Sequence, residues 1–302
     1  MTYRLRPGRP LSGEVVRIAE IQYQRAIEIL RDQPEGPFEA IHGARKRFKR
    51  LRGLFRLVRA ADPKFCAREN ARVRDIARTL STVRDATALA ETLDHLLASR
   101  AAPGNETTLR AIRDRLAHRR DRIATEQTDL QARLVAAIAG CEDGIKALGK
   151  MRLPDKQGKA ARLIADGLAK TYGRAVKALE TANASGDAAD WHDLRKRIKY
   201  HRMHVQLLAR AWPGEMAIRA DIADVAGEAL GQDHDLASLA DLIETEPLTI
   251  GSQEEIAVLR TCIVTCSARL HDQVRDIVKN LLRDDPILIH GRVLALWRDA
   301  GR

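Results

Sequence analysis

The chain of 302 residues carries a net charge of +11 and a pI of about 9.8, with 45% apolar but only 4% aromatic residues. That allows one large domain or two ordinary ones with a substantial core, and scarce aromatics argue against a sheet-built fold. No apolar run approaches a membrane span and the opening residues, with Arg4, Arg6 and Arg9, do not read as a secretory signal, so a soluble, cytoplasmic protein with an anionic partner is expected: nucleic acid, an acidic membrane surface or a polymer of phosphate.

Leu11 to Arg31 places Val15, Ile18, Ala19 and Ile29 at helical spacing, and Pro34, Gly36 and Pro37 end the run. A second helix is expected from about Phe38 to Ala61, before Pro63, and a third from about Lys64 to Ser99, with Ile76, Leu80, Val83, Leu89, Leu93 and Leu96 on one face. Pro103 and Gly104 precede a fourth, from about Glu106 to Ala139. Gly140 to Gly158, with Gly144, Gly149 and Pro154 between them, reads as the linker. The pattern then restarts, with helices expected at about 159–183, 188–211, 215–244 and 253–283, and a short last one at about 287–299. No segment alternates as a strand does. The expected fold class is therefore all-α, two four-helix bundles of long antiparallel helices: 11–140, a linker 141–158, 159–283, and a C-terminal extension 284–302.

A repeat supports two halves. IHGARKRFKRLRGLFRLV at 41–58 returns 150 positions later as WHDLRKRIKYHRMHVQLL. His42, Arg45, Lys46, Arg47, Lys49 and Arg52 match His192, Arg195, Lys196, Arg197, Lys199 and Arg202. Leu80, Arg84 and Asp85 match Leu230, His234 and Asp235 at the same offset, and Tyr23, Arg25, Ala26 and Ile27 match Tyr172, Arg174, Ala175 and Val176 after one insertion. Such self-similarity implies an internal duplication with approximate two-fold symmetry.

What repeats is a cationic pattern. On a helical wheel His42, Arg45, Lys49, Arg52 and Arg56 share an arc of about 80°, and Ile41, Ala44, Phe48, Leu51, Phe55 and Val58 lie directly beside it. In the second copy His192, Arg195, Lys199, Arg202 and Gln206 share the arc. Lys46, Arg47 and Arg50 fall elsewhere on the wheel, in the direction of solvent. A basic row next to the apolar seam lies in a groove or between bundles, where cations repel one another. Residues 41–59 contain no Asp or Glu to neutralise them. Arg offers a planar fork to phosphate oxygens and Lys a point charge. Four turns of such residues make a row roughly 20 Å long, suited to a linear chain of phosphates. Asp85 and Asp235 are placed to orient an Arg of the row or its neighbouring His.

The remaining histidines, His95, His118, His201, His204, His271 and His290, read as surface or core residues, His201 as packed and hydrogen-bonded. Cys66, Cys141, Cys262 and Cys266 form no ligand spacing and read as reduced thiols. No catalytic residue, metal site or cofactor is expected: phosphoryl transfer would call for a carboxylate cluster or a positioned nucleophile.

At His42–Arg52 and His192–Arg202, with the pattern HxxRKRxKxxR, and at Leu80–Arg84–Asp85 and Leu230–His234–Asp235, the chain resembles the CHAD family of histidine-containing α-helical domains over about residues 11–283. The resemblance implies a basic central cavity that binds inorganic polyphosphate, and in some members association with polyphosphate or polyhydroxyalkanoate granules. The matching positions are His42, Arg45, Lys46, Lys49, Arg52, Arg56 and Arg84 in the first half, with His192, Arg195, Lys196, Lys199, Arg202 and His234 in the second. His234 opposite Arg84 and Gln206 opposite Arg56 make the second copy less cationic, which favours the first as the anion site. The fused triphosphate-tunnel β-barrel of many relatives is not visible in the sequence, so a stand-alone, non-catalytic binder is expected. The alternative is non-specific nucleic-acid binding through basic helices, against which stands the lack of interleaved aromatics for base stacking. A phosphorylated His42 or His192 is a third, weaker reading, which the duplication of the whole row leaves unexplained.

Overall fold

The computed structural model describes residues 3–80, 82–99, 103–126 and 129–301, with the side chains of 82–86 and 124–126 left aside. The described residues form helices and no strands: α1 (Leu11–Asp32), α2 (Pro37–Leu57), α3 (Pro63–Thr79), α4 (Thr82–Ala98), α5 (Glu106–Glu126), α6 (Leu130–Leu148), α7 (Gln157–Ser185), α8 (Ala188–Leu208), α9 (Pro213–Thr245), α10 (Pro247–Ile250), α11 (Gln253–Leu281) and α12 (Pro286–Asp299). The all-helical class expected from the sequence is what the chain adopts.

Several helix ends are written locally. Asp62 Oδ1 accepts from the Phe65 amide at 3.2 Å ahead of Pro63. Ser252 and Glu255 form a reciprocal capping box at the start of α11. Asp285 caps α12 through the Ile287 amide, again beside a proline. Gly186 ends α7 at φ +72°, where a Cβ would be strained.

α1 packs on α2 and α6, and α3 fits between α2 and α6. α8 packs on α7 and α9, and α11 lies along α9. α2 also meets α8, joining the two halves. The α4–α5 pair reaches out to α9, α10 and α11, while α12 covers α7. The buried side chains form one continuous cluster, including Tyr23, Phe48, Phe55, Tyr172 and Trp191. The N-terminal strap joins it: Tyr3 and Leu5 are buried, and the Leu5 amide donates to Leu207 O at 2.9 Å.

Three boundaries differ from the sequence reading. The third expected helix breaks between α3 and α4. Leu80 has left helical geometry (φ −105°, ψ 14°) although its side chain stays buried, and Thr79 Oγ1 turns back to Ile76 O at 2.8 Å. Such a side-chain bond to the backbone competes with the helical ladder. The fourth expected helix likewise becomes α5 and α6, with Asp129 non-helical. The expected linker is shorter, because α6 runs through Gly140 and Gly144 to Leu148. Those glycines are points of close packing: a Cβ at Gly140 would lie 2.8 Å from Ile76 Cδ1, and one at Gly144 2.5 Å from the Tyr23 ring.

The tightest approach of this kind is at Gly167 of α7, where a Cβ would come within 2.0 Å of Leu57 O at the end of α2. Backbone cannot swing aside as a side chain can, so Gly167→Ala should cost about 1–3 kcal/mol in chemical denaturation. Gly13 is exposed on α1 with nothing near its Cβ position. There Gly13→Ala should instead stabilise by about 0.5–1 kcal/mol.

Candidate anion-binding site

α2 buries Ile41, Ala44, Phe48, Leu51 and Phe55, and α8 buries Trp191, Leu194, Ile198 and Val205, the apolar arcs read from the sequence. The two helices cross where α2 carries Gly53. A Cβ there would sit 2.8 Å from Met203 Sδ and 3.1 Å from Tyr3 Oη, and His204 Nε2 is 3.0 Å from Gly53 O. A close crossing brings the two basic rows together: Lys49 of α2 acts on Lys199 of α8, and Arg50 on Arg202.

The deepest cations of the row are in the second copy, whereas the sequence favours the first. Burial, followed by repulsion from Arg195 and Lys49, pushes the Lys199 ammonium down to about 7; Asp235 opposes the shift and Arg202 adds to it. Burial also lowers Arg195, and Asp235 again opposes the shift. Asp235 therefore acts on both cations. α9 makes room by turning glycines to these chains: the Cβ position of Gly231 is 3.7 Å from Arg195 Nη2, and that of Gly227 is 3.8 Å from Lys199 Cγ. The His192 and His234 rings lie 4.1 Å apart. Burial, then His234, Lys196 and Arg195, push His192 down to about 4, and burial with Arg195 and Lys199 lowers His234.

Other row members are fixed by neighbours the sequence did not identify. Arg45 Nη1 donates to Ala77 O at 2.9 Å, and Arg52 Nε to Asn70 Oδ1 at 3.0 Å. Arg202 Nη2 pairs with Asp224 Oδ2 at 2.5 Å. The Arg56 guanidinium lies 4.1 Å above the Tyr200 ring. His42 is half-buried and Lys49 exposed at the row. Arg56 Nε, Arg195 Nε, Arg202 Nε and His192 Nδ1 are buried without a hydrogen-bond partner among the described residues. The side chains of Arg84 and Asp85 lie outside the described residues.

Lys46 is exposed, as its place on the wheel indicated, and Lys196 is exposed too, with Nζ 3.2 Å from Asp193 Oδ1. Other placements correct the sequence reading. Arg47 and Arg50, directed to solvent on the wheel, are half-buried, because α1 and the N-terminal strap cover that flank of α2. His201 is packed edge-on against Tyr172 at 5.5 Å, yet neither ring nitrogen has a hydrogen-bond partner among the described residues. Its place on the wheel indicated burial and could not supply a polar neighbour. His271 stacks on Trp191 at 3.8 Å with Nε2 2.9 Å from Asp233 Oδ1. Asp235 also borders a cavity of about 310 Å³ between α4, α9 and α11, lined by His95, Gln232 and Arg269 among others. All four cysteines are buried and free, and burial pushes the Cys66 and Cys141 thiols up to about 12.

A family model described as "CHAD domain" matches residues 17–244, most of the chain and both basic helices. The chain belongs to the CHAD family. The solved structures include a similar one, the crystal structure of the CHAD domain from the plant Ricinus communis, 17% identical, covering 91% of this chain and 94% of that chain with a TM-score of 0.55. At that identity the likeness speaks for the CHAD fold alone. No curated protein matches the chain. No helix among the described residues is long and apolar enough to cross a membrane.

The buried histidines of this CHAD domain give it an acid liability. Burial holds His201 at about 3 and His204 at about 4, so between those values and the ordinary histidine range the unfolded chain binds protons that the folded one refuses. Stability should therefore fall as pH drops from about 6.5 towards 4. Urea titrations across that range should show the fall, with a shallower slope in His201→Leu.

Proposed function

We propose that the meeting of the α2 and α8 rows is a binding site for inorganic polyphosphate, and that the protein is a binding module without catalysis. The observation that carries this is the crowding of Lys199 and Arg195, with Lys49 and Arg202 close by, at the crossing of two helices. Like charges that close cost on the order of a kcal/mol per pair even at surface-like dielectric, and Asp235 and Asp224 offset part of it. A chain of phosphates would neutralise the rest. The row is extended and lies beside the core seam, which suits a thin flexible polyanion better than a duplex. Membership of the CHAD family points the same way, and tethering to polyphosphate or polyhydroxyalkanoate granules would follow from such binding. Nucleic acid remains the competing polyanion, and duplex DNA that displaces long-chain polyphosphate at equal phosphate concentration would favour it.

Replacing Arg45, Lys49 and Arg52 together by Ala should abolish most polyphosphate binding in calorimetric titration, by at least about 100-fold if each charged contact contributes about 1.5 kcal/mol, with helix content retained by circular dichroism. Unchanged affinity would place binding on another surface.

Protonation offers a second test. Lys199 is lowered to about 7 by burial and its cationic neighbours, so at about pH 8 it is largely neutral in the free protein. Phosphate oxygens favour its charged form. Binding at pH 8 should take up protons, seen as a dependence of the binding heat on the buffer's ionisation enthalpy. Affinity should fall as pH rises from 7 towards 10. Lys199→Arg, charged throughout, should lose most of that uptake.

A further inference from the structure

The cationic surface does not end with the row. Arg202, at one end of the α8 row, acts on Arg50 of α2, and Arg50 acts on Arg47. Arg25 of α1 acts on both Arg47 and Arg50. These arginines stand where α1 packs on α2, and Arg25, Arg47 and Arg50 are each half-buried. No carboxylate pairs with any of the three among the described residues. Arg47 Nε is buried without a hydrogen-bond partner among the described residues. Arg50 lies 5.5 Å above the ring of Tyr3, whose hydroxyl donates to Arg50 O at 2.8 Å, so the strap holds that arginine in place.

The matching region of the second half differs at two positions: Tyr200 stands opposite Arg50, and Asp193 opposite Gly43. Arg174 and Arg197 occupy the positions aligned with Arg25 and Arg47. There Asp193 accepts from Arg197 at 3.0 and 3.1 Å and pairs with Lys196 at 3.2 Å. The first half has Gly43 where the second has Asp193. Its cluster thus lacks the carboxylate that neutralises the other in part.

We infer that Arg25, Arg47 and Arg50 form a second anion site, which takes a phosphate group of a polyphosphate chain as it leaves the α2–α8 row past Arg202. Two guanidinium forks from different helices, with a third pinned by Tyr3, can surround one tetrahedral phosphate on several sides. The site rests on the polyphosphate reading for its ligand, and it adds a length requirement: a chain must fill the row and continue beyond it to reach Arg25.

The test is calorimetric titration of the wild-type protein, R25A/R47A and R197A with tripolyphosphate and with long-chain polyphosphate, at several salt concentrations. The double variant should bind tripolyphosphate like wild type and bind the long chain about tenfold or more weakly, with a shallower dependence of log K on log salt, since fewer phosphates are neutralised. R197A should match wild type with both ligands, because Asp193 already engages that guanidinium. Long-chain affinity and salt slope equal to wild type in R25A/R47A would overturn the second site and leave the proposed function standing. Equal losses with both ligands would also overturn it, since the arginines would then belong to the row or to the fold. Absence of polyphosphate binding by the wild type would remove the functional reading and this site with it. Melting temperature guards against misfolding. If the double variant melts early, the single changes R25Q and R47Q, which keep a polar side chain in place, decide by the same comparison.

Discussion

The structure depends on a close crossing of two like-charged helices. α2 and α8 meet at Gly53 and Met203, and the end of α2 is pressed against Gly167 of α7. Such contacts set cations against cations, each close pair costing on the order of a kcal/mol. The apolar arcs beside the rows outweigh that. Phe48, Leu51, Phe55, Leu194, Ile198 and Val205 are all essentially fully buried, and each such side chain contributes roughly 1.5–3 kcal/mol. The core thus holds the rows together against their repulsion, and the cost is concentrated where Lys199 and Arg195 are driven out of water.

The placement of acids then shapes the electrostatics. Asp193, Asp224 and Asp235 all belong to the second half, and each lies against a cation of α8. The basic segment of α2 contains no acid at all. The second copy is consequently the more buried and the more compensated, while the first keeps an open cationic flank on the side of α1. A simple count of cations per copy misses this difference, since the balance at any point depends on which helix lies across from it. A thin polyanion running along the crossing would meet the buried lysine of one copy and the half-buried arginines of the other.

Much of the architecture is legible in the chain. The prolines and their capping aspartates mark the starts of α3 and α12, and the apolar spacing of 41–58 and 191–208 predicts the buried faces of α2 and α8. Glycine is where the reading fails. Gly140 and Gly144 look like linker residues because glycine is a poor helix former, yet α6 uses their missing side chains to approach Ile76 and Tyr23. The break after Thr79 was hidden for the opposite reason: Leu80 keeps its apolar place in the pattern while its backbone leaves the helix.

By itself the sequence determined the helical class, the faces that would be buried and the cationic row beside them, because periodicity and charge are properties of each helix alone. Which row residues meet was decided by the tertiary structure. Only the crossing at Gly53 brings Lys49 near Lys199, only α9 places Asp224 and Asp235 against the α8 row, and only α1 with the N-terminal strap turns Arg47 and Arg50 from solvated charges into part of a half-buried cluster. Desolvation and pairing depend on what packs opposite a residue, and a helical wheel carries no record of the opposing helix.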